Sequence, residues 1–272
     1  MDGHLSLCLR EKDCKTYLAN SLFRLPLQII RPFYLDDSGC ATLFIINPCG
    51  GLVGGDALRM HVDLEERAHL LLTTQSATKV YKTLGHPASQ KMVFNLKEGA
   101  VLEFLPDHVI PFAGSSFVQE IEINMEKKSV AIIVDSFASG RTARGERFQF
   151  LKYQNKIEAR YIGRTFLLER MLITKNSADL SDVGIMEGND YLASFYILTD
   201  SVSSHEGLVD MINSELEKFE DLTGSVSFLS EKGLLIRILS KTAFSLNDAI
   251  LKTWALVHQE ILGQKAPSLR KY

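Results

Sequence analysis

Along the first two thirds of the chain, apolar residues alternate with polar ones or gather in short runs, with turn residues between them. Leu58, Met60, Val62 and Leu64 alternate with Arg59, His61, Asp63 and Glu65, as in a strand with one buried face. Phe117, Ile121 and Ile123 alternate in the same way with Val118, Glu120, Glu122 and Asn124. Residues 43–46, 70–74, 79–81, 91–96, 101–105, 130–134, 148–150 and 166–173 read as further strands, with Asn47-Pro48, Gly99 and Pro106 as punctuation. Strands are thus expected from Leu22 to about Ile173, while the N-terminal stretch to Lys15 reads only as charged and lacks the apolar run of a signal peptide. Many short strands suit a sandwich, a barrel or a stacked β-helical body, and the residues do not choose among these. No fixed-period repeat emerges, which speaks against a regular solenoid.

The last third changes character. Residues 192–198 read as a strand, and 205–222 as a helix with Val209, Ile212, Leu216 and Phe219 on its apolar face. Residues 225–230 and 234–239 look like a hairpin turning at 231–233. Ser245 is the expected N-cap of a last helix, with Asp248 in its first turn, Ile250, Trp254, Val257 and Ile261 on its apolar face and Gly263 as its stop. The reading is mainly β, with a β-rich body over 1–180 and a C-terminal β-α-β-β-α portion containing two helices over 181–272, packed on the body as a single domain.

Composition narrows the function classes. An apolar content of 46% is too high for a disordered chain. A formal net charge of -3 lacks the basic excess of a nucleic-acid surface. No run approaches the roughly 18 apolar residues that a membrane span requires, so the expectation is a cytoplasmic protein. Cys8, Cys14, Cys40 and Cys49 form no C-x-x-C pair, which leaves reduced thiols and no zinc-knuckle spacing.

The densest chemistry follows Asn47-Pro48. Gly50, Gly51, Gly54 and Gly55 precede Asp56, with neither the lysine of a P-loop nor dinucleotide-binding spacing. Four glycines imply positive φ, close backbone approach, or both. The run either aims Asp56 into an internal channel or is a tight connection in which Asp56 bonds to backbone amides, and the residues favour the second. Thr73, Thr74 and Thr78, with Lys79 and Tyr81, could line a polar passage or simply be a satisfied strand edge. Arg141, Arg144 and Arg147, with Glu146, could clamp an anion, pair with Asp135 and Glu146, dock an acidic partner, or face water. His61, Asp63, Glu65 and His69, together with Asp107-His108, are borderline-metal ligand types. On one strand face they stand about 7 Å apart, so they suggest a row of weak ligands or a plain solvent face. Glu169 interrupts the apolar segment Phe166 to Ile173 and needs a partner, Arg170 or one of Arg141 to Arg147, or else a wet cavity. No nucleophile–base motif stands out.

Taken in order, several segments resemble the UreD (UreH) family of urease accessory proteins. They are Pro26-Leu27, Arg31-Pro32-Phe33, the run from Asn47 to Asp56, Thr73-Thr74-Gln75 with Ala77 to Lys82, Pro106, Ile110-Pro111-Phe112, Gly140-Arg141 with Ala143 to Glu146, Gly233 to Arg237, and Trp254. Cys49 stands where the family more often has proline, which loosens the turn and adds a thiol. The resemblance implies a β-helical main body with two helices and a scaffold, not an enzyme, that joins UreF and the GTPase UreG on the urease apoprotein. It also implies a polar internal passage for nickel in transit, with no tightly bound cofactor. Beside such a passage, Asp56, His61, Asp63 and Glu169 are the candidate transient ligands. Asp56 and Glu169 are expected to line one cavity near residues 73–79. The last helix with Trp254 and the hairpin are candidates for a bare partner surface. Two readings compete: a hydrolase or lyase on a β scaffold using Asp56, His61 or Glu169 as acid or base, and a protein-binding module without a metal role.

Overall fold

A computed structural model describes residues 1–175, 177, 180, 182, 184–200, 206–229 and 232–269. The chain opens with β1 (Asp2–Lys12), β2 (Lys15–Arg24), β3 (Gln28–Ile29) and β4 (Ala41–Ile46). It continues through β5 (Ala57–Leu64), β6 (His69–Thr74), β7 (Thr78–Val80), β8 (Ala88–Leu96), β9 (Val101–Leu105) and β10 (Val109–Pro111). Then come β11 (Ser116–Met125), β12 (Val130–Ala138), β13 (Lys152–Tyr161) and β14 (Arg164–Thr174). The tail is β15 (Tyr191–Leu198), α1 (Glu206–Leu216), β16 (Leu222–Phe228), β17 (Gly233–Ser240) and α2 (Ala243–Leu262).

The main strands alternate between two facing sheets. In the first, β1, β5, β8, β11 and β13 run parallel, and β2 and β14 close the edges antiparallel. In the second, β4, β6, β9 and β12 run parallel, with β15, β17 and β16 added antiparallel beyond β12. A chain that returns to each sheet in parallel is a β-helical coil, so the body is a solenoid. Its coils are unequal: Ala41 lies opposite Leu70, His69 opposite Val101 and Val101 opposite Val130, register steps of 29, 32 and 29 residues. The stacked β-helical body is thus the one of the three expected architectures that forms, and it is not a regular solenoid, because loops absorb the differences between coils and erase a fixed period.

Burial explains the two hydrophobic patterns. In β5 and β11 every second residue is buried, because one face of the first sheet meets the other sheet and the opposite face is outermost. All nine residues of β12 are buried, because α1 and α2 cover the outer face of the second sheet. Leu208, Ile212 and Leu216 of α1 and Leu246, Ile250, Trp254 and Val257 of α2 form that outer core. Trp254 is only 2% exposed, which corrects its expected place on a bare surface.

Several boundaries differ from the sequence reading. Strands β1, β2 and β13 went unrecognised; Leu5, Leu7 and Leu9 of β1 do alternate, but the flanking charges dominate that stretch. Residues 148–150 are not a strand, since Phe148 turns the chain at φ 51. Helix α1 ends at Leu216 instead of Leu222, because Leu222 already pairs with Ser240 in the sheet. Thr242, not Ser245, caps α2: its Oγ1 accepts the Ser245 amide at 3.1 Å, which puts Asp248 beyond the first turn. Gly263 ends the helix at φ 68. The expected helix start at His205 and the hairpin positions Ser230 and Glu231 lie outside the described residues. Among the described residues no helix is long and apolar enough to cross a membrane.

Candidate functional site: a polar layer between the sheets

Strand phase decides which side chains meet between the sheets. On β11, Gln119 is buried in phase with Phe117, Ile121 and Ile123; on β13, Asn155 is in phase with Tyr153, Ile157 and Ala159. Those two residues are lateral neighbours in parallel register. From the facing sheet, Asp135 stands in phase with Ala131, Ile133 and Phe137. Gln119 Nε2 and Asn155 Nδ2 each donate to one Asp135 carboxylate oxygen at 2.6 Å. Burial pushes the Asp135 carboxyl up to about 6, helped by the charge of Glu169, while the two amides and Arg237 pull the other way.

The layer continues sideways along the second sheet. Asp135 pairs with Ser194, and Ser194 with Arg237. Arg237 donates to Ser194 Oγ at 2.9 Å and to Glu169 Oε1 at 2.5 Å, and the Tyr196 hydroxyl donates to Glu169 Oε2 at 2.8 Å. Burial and then the Glu169 charge hold the Tyr196 hydroxyl well above its ordinary range. Among the described residues the buried Tyr153 hydroxyl has no hydrogen-bond partner, a position that a water or an ion would satisfy. Two carboxylates against one guanidinium make the layer favourable to a cation.

At its other end the layer reaches a cavity of about 110 Å³ lined by Gln90, Gln119, Asp135, Ser136, Asp107 and Thr74, among others. A water needs roughly 10–15 Å³ measured this way, so several waters or a partly hydrated ion would fit. Gly50, Gly51 and residues 74–79 border the same space. Gly51 is needed for close approach: a Cβ there would sit 2.7 Å from the Lys79 carbonyl oxygen, where Leu52 bridges to Val80. Gly54 is similarly tight, with the His86 carbonyl oxygen 3.0 Å from its Cβ position, while Gly50 and Gly55 take the left-handed conformation at φ 69 and 85.

A stack braces this rim. The Tyr81 hydroxyl donates to the Gly50 carbonyl at 3.4 Å, the Tyr81 ring meets Phe112 edge-on at 5.1 Å, and the Arg141 guanidinium lies 4.2 Å over Phe112. Arg141 grips Glu146 with two donors, and that contact holds the Glu146 carboxyl below its ordinary range. Arg147 donates to Asp190 at 2.6 Å, and Arg144 is exposed on a short 3-10 turn. The arginine segment is therefore largely tied down, and Asp135 is not its partner.

Of the four candidate transient ligands, Glu169 alone belongs to the layer. Asp56 is buried beside the glycine run, where it accepts from the Val53 amide at 2.9 Å and pairs with the Met1 ammonium. Neither Asp56 nor Glu169 lines the inter-sheet cavity, which corrects the expectation that they share one. Glu169 pairs with Arg237, not with Arg170 or the 141–147 segment. His61 and Asp63 sit on the outer face of the first sheet, where their side chains lean together to 2.9 Å, closer than their strand spacing suggested, with Asn95 Nδ2 donating to Asp63 at 2.8 Å. Thr73 donates to the Leu105 carbonyl at 2.5 Å, and Thr74 to Asp107 at 3.1 Å, while Thr78 and Lys79 line the cavity. His69 bonds to Glu103 on the far face of the second sheet. Asp56, His61 and Glu169 are thus engaged with separate partners and form no acid–base pair with one another.

Gln119, Asp135, Asn155 and Tyr196 were missed. The signal was a polar residue in the inward phase of an apolar alternation: Gln119 falls between Phe117 and Ile121, and Asp135 continues the buried phase of the apolar run 130–134.

Comparison with known proteins adds the family context. A family model described as UreD urease accessory protein matches residues 1–271. The chain is similar to the urease accessory protein UreD of Arthrobacter sp. (strain FB24), with 33% identity covering 99% of this chain and 94% of that protein. It is also similar to the proteins of that description from Lachnoclostridium phytofermentans, 31% identical over 95% of this chain and 93% of the relative, and Staphylococcus epidermidis, 29% identical over 99% and 98%.

Proposed function

This chain belongs to the UreD family of urease accessory proteins, and from that premise we propose that it serves urease maturation in the cytoplasm as a scaffold for UreF and UreG on apo-urease, passing nickel through the polar layer toward the urease active site. The observation that carries the reading is the row Gln119, Asn155, Asp135, Arg237 and Glu169, set across a solenoid core where apolar side chains are the default. Burying that row is costly, since each member needs its own partner, and a route for a cation would account for keeping it there.

Nickel is the cargo here, and the residues around it would act as temporary ligands. Asp135 and Glu169 offer carboxylate oxygens, a suitable donor type for a borderline dication. Both carboxylates already have partners: amides hold Asp135, and Arg237 and Tyr196 hold Glu169. An arriving ion must compete with them, so its residence is short. The rim of Gly50, Gly51, Thr74, Thr78 and Lys79 would admit the ion, and the braced Tyr81–Phe112–Arg141 stack would keep that rim in shape for a partner.

The experiment is co-expression of the urease cluster with Asp135→Asn, Glu169→Gln and the double variant. Nickel per urease, urease activity and co-purification with UreF are measured together. The double variant is expected to fold and to bind UreF, and to lower nickel loading by about tenfold or more, since removing charged ligands costs at least 1–2 kcal/mol along the route. Normal nickel loading by the folded double variant would sink the passage. Loss of UreF binding together with a lowered melting temperature would instead make the layer structural.

A further inference from the structure

On the opposite face of the second sheet from the polar layer, a buried carboxylate sits among apolar side chains. Glu103 of β9 is 1% exposed, while its strand neighbours Leu102 and Phe104 face the inter-sheet core. Trp254 Nε1 donates to Glu103 Oε2 at 2.5 Å, and His69 Nε2 lies 2.7 Å from Oε1. His258, one turn beyond Trp254 on α2, places Nε2 at 3.7 Å from that same Oε1. Its other ring nitrogen, Nδ1, is 2.8 Å from the Gln264 carbonyl oxygen. A carbonyl only accepts, so Nδ1 carries a hydrogen, which leaves Nε2 as the ring atom that faces the carboxylate and is open to a metal. Two imidazole nitrogens thus converge on one buried carboxylate oxygen, an arrangement that a shared metal ion would satisfy. The free thiol of Cys40 completes the group: one ligand atom each from Cys40, His69 and Glu103 lie within 4.8 Å of one another.

We propose that Cys40, His69, Glu103 and His258 form a zinc site that fastens α2 to the second sheet. Four N, O and S ligands of this kind suit a closed tetrahedral zinc centre, whose ligand atoms stand about 3.3–3.8 Å apart. His258 already stands at a suitable 3.7 Å from Glu103 Oε1, while His69, at 2.7 Å, must part from it to admit the ion. Thiolate plus carboxylate balance the dication, and a buried neutral unit replaces a buried net charge. The Gln264 carbonyl orients His258 in the way that outer hydrogen bonds orient metal-bound imidazoles. Trp254 keeps Oε2 occupied and leaves Oε1 for the ion. On binding, Cys40 releases its thiol proton to solvent, and His69 exchanges its Nε2 hydrogen for one on Nδ1. The ligands come from the approach to β4, from β6 and β9, and from α2, which is why C-x-x-C spacing is absent. The thiolate and the closed geometry favour zinc over the nickel cargo.

The test uses the full chain, purified with its UreF partner, stripped with a chelator and titrated with zinc, cobalt(II) or nickel. One zinc per chain is expected, with a rise in melting temperature, and cobalt should give a thiolate-to-metal charge-transfer band. Cys40→Ser should abolish the band. His258→Gln should weaken zinc binding about tenfold or more while leaving Cys40 in place. His61→Gln, on the outer face of the other sheet, should change neither readout. Absence of stoichiometric zinc, a cobalt band that survives Cys40→Ser, unchanged zinc affinity in His258→Gln, or uptake of nickel but not zinc would each overturn the assignment. Circular dichroism checks that each variant folds, and His258→Gln decides the matter if Cys40→Ser does not.

Discussion

Asp135 ties the stability of the fold to pH. Its folded-state carboxyl is raised from 3.8 to about 6, chiefly by burial, with Gln119, Asn155, Tyr153, Tyr196, Glu169 and Arg237 around it. The folded protein therefore holds a proton that the unfolded chain has already released between those values. The group's contribution to stability is complete below about pH 4 and is lost as pH rises through 6, a difference of about 3 kcal/mol. Asp135→Asn, with one neighbouring amide reversed to match, should be more stable than the parent at pH 8, and the gap should close near pH 4. Denaturant midpoints at the two pH values check this, and a pH-independent gap would show that another group titrates. The glycine run is held as tightly at Gly51. Gly51→Ala forces a Cβ to 2.7 Å from the Lys79 carbonyl oxygen, so the Leu52–Val80 bridge must open, at a cost of about 1–3 kcal/mol. Thermal melting measures that loss, and an unchanged melting temperature would mean the rim yields freely.

Helix α2 links the second sheet to the outer core through Trp254, which packs among Leu246, Ile250 and Val257 and donates to Glu103. Trp254→Phe keeps most of that packing and removes the donor. Leaving a buried carboxylate short of one bond should cost about 1–3 kcal/mol in urea unfolding. A cost near zero would mean that water replaces the indole. At this scale the apolar pattern was a good guide wherever a strand or helix kept its period: β5, β6, β9, β11, β15 and α2 are all legible in it. It failed at β1, where charged neighbours obscure the alternation of Leu5, Leu7 and Leu9, and at β13, where Asn155 interrupts the buried phase. It also misplaced the start of α2, because Thr242 and Ser245 are both good caps and only the end of β17 at Ser240 selects Thr242.

Across the whole molecule, β15 pairs with β12 along eight residues, from Tyr191 opposite Ala138 to Leu198 opposite Ala131. On that ground we propose that residues 1–180 and 181–272 unfold as one unit. Calorimetry should give a single transition, and two resolved transitions would separate the tail from the body. Leu22, Phe23 and Leu25 are exposed in and just after edge strand β2, an apolar strip expected to promote association of the isolated chain. Leu22→Glu with Leu25→Glu should raise its soluble yield when expressed alone, and an unchanged yield would place the cause elsewhere. The sequence by itself determined the strand-rich class, the two C-terminal helices, the glycine-bordered turn and the family resemblance, because these rest on local period, turn chemistry and ordered motifs. Only the tertiary structure decided which polar residues belong together. Gln119 and Asn155 are 36 residues apart in register, and Asp135 meets them from the other sheet. Glu103 and Trp254 are separated by 151 positions. Such contacts depend on coil length and on which face of a strand turns inward, and unequal loops between coils hide both from a linear reading.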